Sequence, residues 1–468
     1  MTTQSSPKIG LLPLYLKLYD DIRPECRAEF DGFIQEIVGE FTAHGITAEL
    51  GSVCRVAHEF EAAVRQFEAS GIDCIVTLHL AYSPSLEAID ALCRTSLPIV
   101  LLDTTMDADF GLGVSADRIM YNHGVHGVMD LASMLRRRGR SFEIVAGHLS
   151  DGRLMDRAAG LVRAACAARQ FKSSHILRLG EAFAGMGDFS VPEDVLADTL
   201  GLCVDQVALT TLDNAIQTIS DQDVANEMAA DREHYRCELT EDVHARSVRV
   251  GLGLRRLLEQ GDYHGMSVNF QGFDRTDRPA DTMPFLEISK AMARGIGYAG
   301  EGDVLTAALV GALARSFGAV TFTEIFCTDW AGDRLFLSHM GEISPAVARG
   351  TPRMFAKPSF DGKSLDPAVL TCSVKPGPAV FVNLAPGPDD GFSLIVAPVV
   401  VLAEEESIDS AMRDTVRAWI RPRPPVTEFL EEYSRAGGTH HSALVLGEAA
   451  TAIAAFGTFS GMEIVPFG

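Results

Sequence analysis

The sequence predicts an α/β protein in which two α/β domains with parallel sheets precede a β-rich domain. First, short apolar runs alternate with amphipathic helical segments from residue 9 to residue 179, as in parallel sheets covered by helices on both faces. Second, after Gly318 the pattern changes to short apolar strands separated by frequent glycine and proline. Third, 468 residues are too many for one hydrophobic core and suggest about three domains.

We therefore predict an N-terminal α/β domain over 1–170, a central α/β domain over 171–318, and a β-rich domain over 319–468, either a barrel or a sandwich. The predicted strands are 9–16, 47–53, 74–78, 98–102, 142–148, 175–179, 319–326, 334–337, 369–374, 379–383 and 393–402. The main predicted helices are 24–44, 58–70, 85–93, 153–169, 284–296 and one from Asp303 to about 316.

Composition excludes several classes of partner. The formal charge is −23, which repels nucleic acid and anionic membrane surfaces. The nine cysteines are scattered without a Cys-x-x-Cys pair, as expected of reduced thiols in a cytoplasmic protein. We find no signal peptide, and prolines and aspartates interrupt the most apolar late stretch, 379–403, so that no membrane span is predicted.

Three common catalytic or cofactor motifs are missing from the sequence. The glycines near Gly180 do not form a Gly-x-Gly-x-x-Gly dinucleotide fingerprint. There is also no phosphate-binding Gly-Lys-Ser/Thr loop and no Gly-x-Ser-x-Gly nucleophile elbow. Nicotinamide, nucleotide and serine-hydrolase functions therefore lose their usual support.

Four separated side chains form a candidate metal site. Glu301 lies between two glycines, Glu324 interrupts an apolar strand, His339 follows Ser338, and His441 ends a Gly-Gly-Thr-His-His segment. Two carboxylates and two imidazoles suit a divalent ion such as manganese, iron or cobalt. Such a set leaves coordination positions free for the oxygens of a substrate.

Each of these residues has an ordinary alternative. Glu301 fits a solvated loop, Glu324 fits the solvent face of a strand, and His339 fits a hydrogen-bonded core histidine. Adjacent residues of an extended chain point in opposite directions, so that only one of His440 and His441 is expected to face a given metal.

Other candidates follow the strands of the first sheet. His79, Tyr82 and Ser83 come after a predicted strand, at the edge where open sheets bind ligands. His123 and His126 have a spacing of three, but their flanking glycines favour a loop, and we interpret His126 as a substrate contact rather than a ligand.

The candidate set suits proton transfer between adjacent carbons of an open-chain sugar. Glu301 and Glu324 would act as the acid/base pair, in an order that the sequence leaves open, and a divalent ion would stabilise the developing charge. Asp303 and Glu342 are candidates for orienting a ligand imidazole, although Asp303 could equally be only a helix cap.

Taken together, these motifs resemble the L-arabinose isomerase family, within the arabinose/fucose isomerase group. The matching pieces are 300–303 with 306–309, 323–324, 338–342 and 437–441. The resemblance implies two Rossmann- or flavodoxin-like domains followed by a β-barrel-like domain. It also implies Mn²⁺, or another divalent ion such as Co²⁺, Mg²⁺ or Fe²⁺, held by Glu301, Glu324, His339 and His441. A homo-hexamer with active sites shared between subunits is further implied.

The sequence departs from the family around the far end of the sugar. The segment 11–17 lacks a polar sugar-contacting side chain, Tyr82 replaces a phenylalanine, and the chain after His441 is short. We predict substrate contacts by Tyr15, Tyr82, His126 and His440, with ketol isomerase chemistry retained and the identity of the sugar left open. The alternatives are a metal-dependent sugar epimerase and a catalytically silent sugar-binding protein on the same fold.

Overall fold

The chain forms two units, of which the first contains one parallel sheet and the second contains a parallel sheet and an antiparallel barrel. The computed structural model describes residues 6–404 and 411–467. The first unit comprises Ser5–Arg169 and Thr451–Gly461, and the second comprises Gln170–Ala450 and the residues from Met462 onward. The further division of the second unit into a central and a C-terminal domain stays a prediction.

The first unit contains a five-stranded parallel sheet in the order β2-β1-β3-β4-β5. Every residue of the central strand of this sheet is buried, as expected for a strand between two helical layers. Its strands are β1 (Lys8–Leu14), β2 (Thr47–Leu50), β3 (Cys74–His79), β4 (Ile99–Asp103) and β5 (Glu143–Ala146). Its helices are α1 (Lys17–Ile22), α2 (Phe30–Ala43), α3 (Ala57–Ala69), α4 (Ser85–Arg94), α5 (Ile119–Asn122), α6 (Val125–Arg137) and α7 (Arg153–Lys172), the last of which runs into the second unit.

The second unit begins with a four-stranded parallel sheet in the order β10-β9-β6-β7. Its strands are β6 (His175–Leu179), β7 (Cys203–Val207), β9 (Gly265–Val268) and β10 (Gly297–Gly300). The helices are α8 (Glu193–Val195, continued by a π turn), α9 (Leu209–Gln217), α10 (Asp221–His234), α11 (Glu241–Gln260), α12 (Phe285–Ala293) and α13 (Val304–Phe317).

A closed six-stranded antiparallel barrel follows, in the order β15-β18-β11-β12-β17-β16, and pairing of β15 with β16 completes the ring. Its strands are β11 (Val320–Asp329), β12 (Arg334–Ser338), β15 (Gly377–Pro386), β16 (Phe392–Val401), β17 (Ala418–Pro422) and β18 (His441–Leu446). β19 (Glu463–Pro466) adds to β16, and β8 (Arg236–Cys237), β13 (Arg353–Ala356) and β14 (Ala368–Thr371) form a small separate sheet. The remaining helices are α14 (Val426–Arg435) and α15 (Ala450–Ser460). The predicted fold class is confirmed, and the third region is a barrel.

Helix α13 connects the parallel sheet to the barrel. It packs against β9 and β10 and also against β11 and β18, and nearly all of its residues are buried. The turn before α13, which contains Glu301, therefore lies beside the barrel strands that carry Glu324 and His441. None of the helices in the described residues has the length and hydropathy that crossing a bilayer requires.

Candidate metal centre

Glu301 is held in an uncommon backbone conformation at the carboxyl end of β10. Its φ is +65°, in the left-handed region that residues other than glycine seldom adopt. The residues on either side, Gly300 and Gly302, have little room for a side chain. A Cβ on Gly300 would lie 3.0 Å from Cε1 of His339, and one on Gly302 would lie 2.4 Å from Cα of Ala182. The turn thus brings the backbone of Gly300 close to the His339 imidazole, and the next residue, Glu301, has a strained backbone conformation.

The register of the barrel brings the other three predicted ligands together. Glu324 on β11 lies opposite His441 on β18 and opposite Ser338 on β12. His339 directly follows Ser338, at the end of its strand. Residues far apart in sequence therefore converge because antiparallel pairing places them side by side.

A buried carboxylate holds each imidazole through its Nδ1 atom. Nδ1 of His441 lies 3.0 Å from Oδ2 of Asp303, and Nδ1 of His339 lies 2.7 Å from Oε1 of Glu342. All four side chains are buried. A carboxylate on Nδ1 leaves Nε2 as the lone-pair nitrogen, which is how metal-ligating histidines are usually oriented.

The Nε2 atoms lie next to the two glutamates. His441 Nε2 is 3.3 Å and His440 Nε2 is 3.7 Å from Oε2 of Glu301, while His339 Nε2 is 3.9 Å from Oε2 of Glu324. Glu301 with both adjacent histidines, and Glu324 with His339 and His441, can each present ligand atoms within 4.8 Å of one another.

The expectation that His440 and His441 point in opposite directions is wrong. Their ring centroids are 4.1 Å apart, and both imidazoles lie beside Glu301. The physical reason is that β18 begins only at His441, so that His440 still belongs to the preceding turn. Its Nδ1 lies 2.6 Å from Oδ2 of Asp188, which fixes its ring in this position.

The charges around His441 and Glu301 stabilise the protonated form of the imidazole and the ionised form of the carboxylate. Burial alone would lower the pKa of His441, but the carboxylates of Asp303 and Glu301 outweigh it and raise the pKa to about 9. Burial would raise the pKa of Glu301, yet His440 and His441 hold it well below its usual range. For Glu324 burial prevails over the histidines, and its pKa is raised.

One buried atom is consistent with a bound metal ion. Nε2 of His441 is buried and has no hydrogen-bond partner among the described residues, although Glu301 lies nearby. An orphaned imidazole nitrogen facing carboxylates is what a coordinated cation would satisfy. The residues therefore fit a divalent ion.

Sequence reasoning missed several residues that shape this centre. Asp188 holds His440, and Phe189 stacks on His441 with ring centroids 5.3 Å apart. The Phe322 ring meets the rings of His339 and His441 edge-on, with centroid distances of 4.8 and 5.0 Å. Phe322 and Glu324 are two residues apart on β11, so that alternation puts both on the same face. That alternation was the one signal that could have identified Phe322.

The other predicted substrate contacts belong to the first unit. Tyr82 stacks on His126 with centroids 4.8 Å apart, just beyond the carboxyl end of β3. Tyr15 is fully buried against Phe30 and Tyr19, and its contact with a sugar stays a prediction. His79 is also buried, with 3% of its surface exposed, and belongs to the interior of the unit.

Comparison with known proteins shows which family of proteins the chain is similar to. Residues 180–316 match the family model of the L-arabinose isomerase central domain, and residues 319–463 match that of its C-terminal domain. The L-arabinose isomerase of Shouchella clausii is 26% identical over 97% of this chain and 93% of its own length. That of Herpetosiphon aurantiacus is 27% identical over 84% of this chain and 79% of its own length. The match to an ABC transporter periplasmic solute binding protein of Actinobacillus succinogenes covers 66% of this chain and 91% of that chain, at 14% identity and a TM-score of 0.18.

The matched ranges contain the whole candidate centre, from Asp188 to His441. The chain belongs to the L-arabinose isomerase family, a family of aldose–ketose isomerases.

Proposed function

We propose that this protein is a metal-dependent aldose–ketose isomerase that acts on an open-chain sugar. The observation that carries the proposal is the pair of buried imidazoles whose Nδ1 atoms are fixed by Asp303 and Glu342, with their Nε2 atoms beside Glu301 and Glu324. Family membership supports the reaction type.

Glu301, Glu324, His339 and His441 would hold the ion, for which Mn²⁺ is the proposed choice. The bound ion would supply Lewis-acid stabilisation of negative charge on neighbouring sugar oxygens. The imidazoles add no negative charge of their own, and the carboxylates of Asp303 and Glu342 keep them oriented.

The two glutamates differ in their surroundings, and this suggests how they divide the proton transfers. Glu301 lies between two imidazoles, at 3.3 and 3.7 Å. Among the described residues the Glu324 side chain accepts no hydrogen bond, and Nε2 of His339 lies 3.9 Å from its Oε2. We therefore assign the carbon proton to Glu324 and the proton between the sugar oxygens to Glu301.

The first test removes each carboxylate without changing its shape. Glu301→Gln and Glu324→Gln should each lower kcat by at least about a hundredfold, because a positioned acid or base contributes about 10²–10⁴-fold. Circular dichroism should show an unchanged fold. Glu428→Gln, at an exposed position of α14, is the matched control and should keep full activity. Near-normal turnover in either active-site variant would refute the acid/base assignment.

The second test removes the metal. Chelation should abolish isomerisation, and added Mn²⁺ should restore it and raise the melting temperature, because an ion that binds only the folded state stabilises it. The shift should be lost in a His339→Ala, His441→Ala double variant. Unchanged activity in a sample shown to be metal-free would contradict the proposal.

The hexamer implied by the family resemblance and the cytoplasmic location indicated by the composition also stay predictions. Light scattering at several protein concentrations would test the hexamer, and cell fractionation would test the cytoplasmic location. The product separates isomerisation from epimerisation: isomerisation of an aldose gives a ketose, whereas epimerisation gives an aldose that is inverted at one stereocentre.

A further inference from the structure

A second group of metal-ligating side chains lies towards the amino end of the four-stranded parallel sheet in the second unit. His175 is the first residue of β6, Cys203 is the first residue of β7, and Asp205 is two residues further along β7. Glu301, by contrast, follows the last residue of β10. All strands of this sheet are parallel, and the five residues of β6 span roughly 15 Å. The His–Cys–Asp cluster is therefore separate from the candidate metal centre.

Strand register places the three side chains of this cluster on one face of the sheet. His175 pairs with Cys203 across β6 and β7, and Cys203 and Asp205 are two residues apart on one strand. Nε2 of His175 lies 2.9 Å from Oδ2 of Asp205, and one ligand atom from each residue lies within 4.8 Å of the others. Ligand atoms around a tetrahedral zinc ion lie about 3.3–3.6 Å apart, given bonds of about 2.0–2.3 Å. Shifts of about one ångström would therefore bring all three onto one ion.

Two neighbours orient the imidazole and the carboxylate from outside the cluster. Nδ1 of His175 lies 3.1 Å from the carbonyl oxygen of Gly261, which can only accept, so that Nδ1 carries a proton and Nε2 faces the cluster. The Tyr263 hydroxyl donates to Oδ2 of Asp205 at 2.8 Å, and its ring lies 4.5 Å from that of His175. Outer hydrogen bonds of this kind commonly hold metal ligands in position.

The cluster is open to solvent and carries one soft ligand. Cys203 is exposed, and the side chains of His175 and Asp205 are 28% and 47% exposed. An ion from solution can therefore reach all three. A thiolate beside an imidazole favours zinc, whereas Mn²⁺ and Mg²⁺ prefer oxygen ligands.

We propose that His175, Cys203 and Asp205 bind a Zn²⁺ ion. The ion forms bonds to Nε2, Sγ and a carboxylate oxygen, the Cys203 thiol releases its proton to solvent, and a water molecule takes the fourth position. Because β7 is the last strand of its sheet, the ion would tie this strand to β6. The inference goes beyond the proposed function and does not depend on it.

Cobalt provides a direct test, because Co²⁺ bound to a thiolate absorbs in the near ultraviolet through charge transfer from sulfur. The candidate metal centre has no sulfur ligand and cannot produce this band. We expect Co²⁺ to produce the band in the wild-type protein and in the His339→Ala, His441→Ala double variant, and one equivalent of Zn²⁺ to remove it from the double variant. No band at saturating Co²⁺ in the wild-type protein would overturn the inference, whether or not the protein is an isomerase.

Matched cysteine variants assign the band to its ligand. Cys203→Ser should abolish it, whereas Cys327→Ser, at another exposed cysteine, should keep it. A band that survives Cys203→Ser would place the cobalt on a different thiol and contradict the proposed site. Circular dichroism checks that each variant is folded.

Variants of the other residues test whether one ion joins them. His175→Ala should weaken Co²⁺ binding by at least about 10–100-fold, the loss that removal of an outer-shell partner already causes, and Tyr263→Phe should weaken it within that range. Unchanged binding in His175→Ala would leave only a hydrogen-bonded pair between His175 and Asp205, and would contradict the inference.

Thermal unfolding gives a readout that is independent of colour. In the His339→Ala, His441→Ala background, Zn²⁺ should raise the melting temperature, because an ion that binds the folded state stabilises it. Adding Cys203→Ser should remove this rise, and adding Cys327→Ser should not. An equal rise in both triple variants would contradict zinc binding at Cys203.

Discussion

A single side chain, Asp303, links the fold to the candidate metal centre. Its Oδ1 accepts the backbone N–H of Thr306 at 2.9 Å and so caps helix α13, while its Oδ2 lies 3.0 Å from Nδ1 of His441. The sequence left the helix cap and the imidazole contact as equal alternatives. The structure shows both, because the two oxygens of one buried carboxylate face different partners.

Substitutions of Asp303 should separate these two roles. Asn is as good a helix cap as Asp, so Asp303→Asn should keep the cap but weaken Mn²⁺ binding by about 10–100-fold, since the imidazole loses its charged partner. Asp303→Ala should also lose about 1 kcal/mol of stability through the missing cap. Metal titration by calorimetry and urea unfolding measure the two effects.

The control for Asp303 is Ser220, which caps α10 by accepting the N–H of Asp223 at 3.1 Å. Ser220→Ala should cost about 1 kcal/mol of stability and leave metal affinity unchanged. Wild-type Mn²⁺ affinity in Asp303→Asn would show that Asp303 only caps its helix.

The sequence indicated the charged residues of the candidate centre more clearly than the neighbouring residues that hold them in position. Glu324 and His339 stand out in the sequence because they interrupt apolar segments. Asp188 lies in a glycine-rich loop where an aspartate is ordinary, and Phe189 and Phe322 look like any core residue. Their roles come from contacts across many intervening residues, which local sequence does not encode.

At the scale of elements, the close approach of β10 to His339 explains why residue 300 is a glycine. Gly300→Ala would place a methyl group 3.0 Å from Cε1 and 3.4 Å from Nε2 of the imidazole. The ring must shift by a few tenths of an ångström, and we expect about tenfold or greater loss of kcat/KM, because small misplacements of reacting groups are costly.

The matched control is Gly39→Ala on helix α2, where an added Cβ meets nothing within 4 Å. This variant should gain about 0.5–1 kcal/mol of stability and keep its activity, since alanine loses less backbone entropy in a helix. Full activity in Gly300→Ala would show that the imidazole tolerates displacement.

The local sequence pattern predicted where helices and strands lie. Where each of them begins and ends depended on its contacts with distant parts of the chain. The strand predicted over 175–179 coincides with β6. The helix predicted over 24–44 is a 3₁₀ segment over Pro24–Glu29 followed by α2. The strand predicted over 379–383 extends over Gly377–Pro386, because pairing with β16 continues through residues whose own preference for strand is weak.

At the scale of the whole molecule, the sequence indicated that parallel α/β sheets precede a β-rich region. It did not indicate which distant segments pair to close the barrel or complete the first unit. The barrel closes through β15 and β16, and β18 inserts between β15 and β11. Thr451–Gly461 belongs to the first unit although about 280 residues of the second unit precede it. The local sequence does not specify which segments pack together, because any apolar strand or helix can pack against several others.

Burial of His79 in the first unit predicts how the stability of the molecule depends on pH. The side chain lies at the end of β3, and neither ring nitrogen has a hydrogen-bond partner among the described residues. Burial lowers its pKa from 6.5 to about 3, an effect that nearby Asp130 only partly offsets. The folded protein therefore keeps this imidazole neutral, since the charged form would be desolvated without compensation.

The sign of the pH effect follows from proton uptake. Between pH 6.5 and about 3 the unfolded chain binds a proton at His79 that the folded protein does not, so acid favours unfolding by up to about 1.4 kcal/mol per pH unit. His79→Leu removes this term, and the stability of the wild type relative to the variant should fall by about 2 kcal/mol between pH 7 and pH 5 in urea unfolding. The exposed His58 on α3 is the control, because His58→Leu should show no such trend. A pH-independent difference for His79→Leu would mean that the folded protein protonates this imidazole as readily as the unfolded chain does.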